Sequence, residues 1–166
     1  MTQDQRSFAE ELCAALDAQL EQHARLAALS EAQTAALSTR DVEGVEALTR
    51  TLESTVLEGP ALEQRRAGAA ADLAASLGLD PAAVTLSQLV KTAPATIAEL
   101  LARRSDALQR SVERLRRASA VNRVLIEGEL HTIDRVMKAT RRTERTTYSD
   151  RGAHDERLRA LLDARA

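Results

Sequence analysis

The chain has 166 residues, 44 % of them apolar and 29 % charged, and a formal net charge of −2. That is the length of one ordinary domain, and it leaves no whole-chain field to draw in nucleic acid or an anionic membrane. Aromatic residues make up 1 %, with six Gly and three Pro, while Ala and Leu supply about a third of the chain. There is too little turn chemistry and too few β-branched runs for a sandwich or barrel. A nucleotide-binding α/β enzyme is excluded on the same ground, and the composition predicts an all-α protein of long helices.

A single cysteine, Cys13, excludes a disulfide framework and a Cys-rich zinc site. The first residues lack a basic stretch followed by an apolar one, so no signal peptide is expected. No window approaches the 18 or so consecutive apolar residues of a membrane span. The expected compartment is the cytoplasm, with no membrane insertion.

The first helix is predicted from about Asp4 to Ser38, with Phe8, Leu12, Leu16, Leu20, Leu26 and Leu37 on one stripe. Ser38, Thr39 and Asp41 are the nearest capping residues, so a short connection falls there. A second helix is predicted over Val42 to Leu77, with Val45, Leu48, Leu52, Val56, Leu62, Ala69, Leu73 and Leu77 facing inward. Gly59-Pro60 interrupts it, and the stripe's continuation past that point favours a kink over two separate helices. Gly78 suits the residue just past the end. A connector follows, in which Asp80-Pro81 reads as N-cap and first helical position. Val84, Leu86, Leu89 and Val90 are expected to fold onto the bundle.

Pro94 opens the longest helix, predicted to about Thr140, with Ile97, Leu101, Leu108, Val112, Leu115, Ile126, Ile133, Val136 and Met137 along it. Three long helices with a mostly 3.5-residue stripe and a short connector helix describe an elongated antiparallel bundle. The bundle domain is expected over residues 1–140. Residues 141–166 are polar and without a stripe until Leu158, Leu161 and Leu162, and are expected to form a mobile C-terminal tail ending in a short helix. Residues 1–63 carry a net charge of −8 and residues 64–166 one of +6. The two halves can therefore attract each other in an antiparallel pairing.

Signals for chemistry are sparse. His23, His131 and His154 are scattered, and no Glu-x-x-His pair exists. Glu127, His131 and Asp134 share a helical face, where solvated charges are the simpler reading than a metal. No phosphate loop or nucleophile signature is present, so no enzyme, metal or cofactor is expected. Arg103, Arg104, Arg110, Arg114, Arg116 and Arg117 could track phosphates, but Glu99, Asp106 and Glu113 lie among them and no aromatic is near for stacking. Pairing with the acidic helices is the expected role, and nucleic acid is not an expected partner.

Two features remain. Between Ala118 and Met137, Val121, Val124, Leu125, Ile126, Leu130, Ile133, Val136 and Met137 are too many for one narrow seam. Such a sector is either buried by further neighbours or left to bind another helix. Asn122 beside it is a register-setting polar group or an exposed one. Tyr148, the only tyrosine, either anchors a docking contact or packs back on the bundle.

At these features the chain resembles the FlgN family of flagellar type III export chaperones. The resemblance lies in Asn122-Arg123-Val124-Leu125-Ile126-Glu127-Gly128, followed by a polar helical stretch and Thr147-Tyr148-Ser149-Asp150-Arg151-Gly152. It implies a cytoplasmic chaperone for the helical C-terminal ends of the hook–filament junction proteins FlgK and FlgL, which it delivers to the export gate protein FlhA and the export ATPase. The implied client site is Asn122, Leu125, Ile126, Leu130, Ile133 and Met137, and the implied gate contact is Tyr148. The patch is richer in β-branched residues than the family's Leu-rich one, and the Leu158–Leu162 stripe has no counterpart. A structural coiled-coil module that only oligomerises is the alternative, and a homodimer suits either reading.

Overall fold

A computed structural model describes the backbone of residues 2–163 and the side chains of residues 2–140. Its elements in chain order are α1 (Gln3–Thr39), α2 (Val42–Leu57), α3 (Gly59–Ser76), α4 (Leu86–Thr92) and α5 (Ala95–Asp163). No strand occurs among the described residues, and the all-α expectation holds. The chain divides into two compact units, Met1–Arg123 and Val124–Ala166, with the boundary inside α5.

The first unit is an up-down-up bundle. α2 and α3 run antiparallel to α1, as partners at opposite ends show. Gln5 Nε2 donates to the Ser76 carbonyl at 3.2 Å, Gln19 Nε2 to Glu63 at 3.0 Å and Gln33 Nε2 to the Thr49 hydroxyl at 2.9 Å. α5 runs parallel to α1. Asp17 pairs with Arg104, His23 with Ser111 and Glu31 with Arg114, so both numbers rise together. The expected attraction between acidic and basic halves is real, but these pairs join parallel helices. In a three-helix hairpin chain the first and third helices must share a direction, so the acids of α1 meet the arginines of α5 that way.

Local chemistry explains the ends. Thr2 caps α1 in a reciprocal box with Gln5, and α1 ends at Arg40, which takes the left-handed conformation at φ 56°. Asp41 caps α2 by accepting from the Gly44 N–H at 2.9 Å. The predicted second helix breaks at Glu58, before Gly59-Pro60. The structure therefore has two helices where one kinked helix was expected, joined through Glu58 alone, which stays right-handed at φ −72°, ψ −23°. Near the end of α2, Val56, expected inward, is 56 % exposed, and Thr55 is buried instead.

α3 closes as a Schellman turn. Gly78 sits at φ 72°, its N–H bonds the Ala75 carbonyl and the Leu79 N–H reaches the Ala74 carbonyl. The Asp80-Pro81 expectation is corrected. Asp80 accepts from the Ala82 N–H at 2.9 Å in a local turn, and no helix begins there. The connector helix starts at Leu86 instead, capped by Thr85 in a second reciprocal box with Gln88. Ala93 is extended because Pro94 follows it, which stops α4 and lets α5 start at Ala95.

The core lies toward one end of the bundle. Leu12 and Leu16 of α1, Leu73 of α3, Leu89 of α4 and Leu101 of α5 are fully buried, with Ile97 and Ala70 beside them. Each such leucine contributes about 1.5–3 kcal/mol of burial. Val84, Leu86 and Val90 of the connector pack on that cluster, as expected. Further along α1 the buried positions turn small and polar: Gln22, Ala27, Ser30, Gln33 and Ala36. Leu20, Leu26 and Leu37 are half-buried there.

Candidate functional site

Asn122 is the first of the expected site residues in chain order, and its place differs from the expectation. It is 6 % exposed and turned into the bundle. Its Nδ2 donates to the Ser30 carbonyl at 3.0 Å and to Gln33 Oε1 at 2.9 Å, and its Oδ1 accepts from the Thr34 hydroxyl. The polar atoms of this side chain are thus committed to α1. Of the two readings open to it, register setting is the one the geometry fits.

Between Asn122 and Thr140 most of the large apolar residues of α5 are exposed. Ile126 is 39 % exposed, Leu130 61 %, Ile133 56 % and Met137 52 %. Leu125 is half-buried, and Val124 and Val136 are exposed. The first four follow a spacing of four, three and four, which places them on one seam of the helix. Val136 widens that seam, while Val124, two positions before Ile126, falls on another side. The tail expected from residue 141 and its anchor Tyr148 lie outside the described side chains; the backbone is helical through Asp163.

Three of the clustered arginines of α5 pair with acids. Arg104 makes a two-pronged pair with Asp17 at 2.8 and 2.9 Å, and Arg114 clamps Glu31 at 2.8 and 3.0 Å. Arg117 pairs with Glu113 one turn back. A groove of about 850 Å³ runs between α1 and α5, lined by Glu31, Thr34, Arg110, Glu113, Arg114 and Val121 among others. The carboxylates of Glu31 and Glu113 share its rim with the guanidinium groups of Arg110 and Arg114.

Titratable groups fit a structural role. Burial lowers the pKa of His23, whose Nδ1 lies 2.8 Å from the Ser111 hydroxyl. Burial raises the thiol of Cys13, partly opposed by Arg104. Among the described residues no group of three His, Cys, Asp or Glu is placed to hold a metal ion, Glu127, His131 and Asp134 included. No helix among them is long and apolar enough to cross a membrane.

Sequence reading missed the polar seam opposite Asn122. Ser30 and Gln33 fall at the buried spacing of α1, three residues apart and three before Ala36. That was the available signal, but polar residue types hid it.

The fold defines an all-α helical-bundle protein whose last helix carries a seam of exposed apolar side chains. The FlgN protein family matches residues 1–156, and the chain belongs to that family of flagellar export chaperones. No curated protein and no solved structure matches it.

Proposed function

We propose that this chain acts in the cytoplasm as a carrier for the helical C-terminal ends of hook–filament junction proteins of the FlgK and FlgL kind. Leu125, Ile126, Leu130, Ile133 and Met137 form the client face. Tyr148 docks the loaded carrier on the export gate protein FlhA, beside the export ATPase. The action is binding and release, without catalysis. Residues 1–140 supply the bundle and residues 141–166 the delivery segment.

One observation carries this reading: four large apolar side chains at seam spacing on α5, each at least 39 % exposed. An amphipathic client helix, made for a later assembly, covers such a seam in the manner of helix-in-groove recognition. Covering it returns about 25 cal/mol per Å² of apolar surface, against the cost of association and of ordering the client. The balance is moderate affinity, which suits a carrier that must let go.

The test is co-purification of the full chain with a C-terminal junction-protein fragment. Ile126→Asp is expected to abolish capture, and unchanged capture refutes the site. Tyr148→Ala is expected to keep capture and weaken docking to the gate; equal docking refutes the anchor. A second copy is the competing occupant of the face, and self-association that Ile126→Asp dissolves supports the oligomerisation module instead.

A further inference from the structure

The seam on α5 has charged borders of one sign, and those borders specify its guest. With Ile126 and Ile133 at position d of a heptad and Leu130 and Met137 at position a, the flanking e positions are Glu127 and Asp134. The flanking g positions are Glu129 and Val136. Three of the four border residues are acids. The basic residues Arg135 and Lys138 fall at the outer positions f and b, and Arg123 lies one turn before Glu127. Asp134 holds Lys138 at 2.6 Å, with the two side chains 53 % and 72 % exposed. An exposed pair one turn apart screens little of the carboxylate.

Borders at e and g set which partner a helical seam accepts. In a parallel pair, g of one helix faces the following e of the other, so Glu129 would meet Asp134 of a second copy. In an antiparallel pair e meets e, which sets the acids Glu127 and Asp134 against acids of the second copy. A copy of the same chain is disfavoured on this seam in both directions. A helix with Lys or Arg beside its own apolar stripe is favoured in both.

Resting on the reading of the seam as a guest site, we propose that its occupant is an amphipathic helix bordered by basic residues, and that the acids Glu127, Glu129 and Asp134 select it against a second copy of this chain. The apolar seam supplies most of the affinity, and the borders supply the choice. Because the charges are exposed, the choice weakens as salt rises.

Two synthetic helical peptides test this, alike in their a and d residues, one with Lys and one with Glu at e and g. Each is titrated against the full chain at low and at high salt. The Lys peptide is expected to bind on the order of fivefold tighter at low salt, with the gap closing at high salt. The combined variant Glu127→Lys, Glu129→Lys, Asp134→Lys, its helicity checked by circular dichroism, is expected to reverse the preference. Equal binding of both peptides overturns the charge selection and leaves the seam intact. Failure of both to bind, or binding that survives Ile126→Asp, overturns the seam itself. In sedimentation of the full chain, a dimer that Ile126→Asp dissolves overturns the exclusion of a second copy.

Discussion

Asn122 of α5 donates from Nδ2 to Gln33 Oε1 of α1 at 2.9 Å, and Gln33 in turn donates from Nε2 to the Thr49 hydroxyl of α2 at 2.9 Å. One buried amide thus ties all three helices at a single level. The cost of breaking such a network falls on the partners left behind, since a buried polar group without a bond costs about 1–3 kcal/mol. Asn122→Ala is therefore expected to destabilise the bundle by about that amount, read as a lower urea midpoint. Ile126→Asp, on an exposed position, should stay within about 0.5 kcal/mol of the parent. The pair of variants separates holding the bundle from holding a guest: a normal midpoint for Asn122→Ala refutes the network's role.

The same contrast shows what the sequence makes legible. Leucine spacing locates the dry end of the bundle, because Leu12, Leu16, Leu73 and Leu101 both carry the period and fill the core. At the other end the buried face of α1 is Gln22, Ser30 and Gln33. A hydrophobic period cannot point to residues whose burial rests on hydrogen bonds. Gly78 was readable because only a residue free of Cβ strain suits the turn it makes. Asp80-Pro81 misled because Asp caps turns as readily as helices, while the true start carried the stronger pattern, Thr85 and Gln88 three apart. Ile126, Leu130, Ile133 and Met137 announced an apolar seam, yet periodicity alone does not distinguish a seam that is covered from one that is open. Only exposure does that.

Gly78 gives the second prediction. At φ 72° it adopts a conformation that L side chains rarely take, and a Cβ there would meet no atom within 4 Å. Any penalty for Gly78→Ala is then conformational and not steric. About 1 kcal/mol is expected, seen as a lower thermal midpoint with an unchanged circular dichroism spectrum. An unaltered midpoint would mean that the turn after α3 opens without cost.

His23 gives a pH dependence. Burial lowers its pKa from the usual 6.5, so the unfolded chain takes up the proton first as pH falls. Stability is fully present above pH 6.5 and is lost as pH drops through the lowered folded value. Glu63 acts in a separate, lower window, since its pKa is lowered from 4.5, first by the hydrogen bond from Arg66. A decline in urea midpoint between neutral and mildly acidic pH is expected in the parent. His23→Gln, which keeps a polar contact for Ser111, should flatten it. An identical decline in the variant removes His23 as the cause.

Cys13 offers a built-in reporter of the dry core. It is 7 % exposed among Ala9, Leu12 and Leu16, and burial raises its thiol pKa. Thiolate is the reactive form, so both shielding and the raised pKa slow its attack on a disulfide reagent. Labelling of the native chain at neutral pH should be far slower than in denaturant. Its rate should follow the opening of the core cluster and not that of the polar end. Asn122→Ala then becomes informative a second time. If the two ends open separately, that variant lowers stability at the polar end and leaves Cys13 labelling slow under mild conditions. If the bundle opens as one unit, labelling accelerates in proportion to the lost stability.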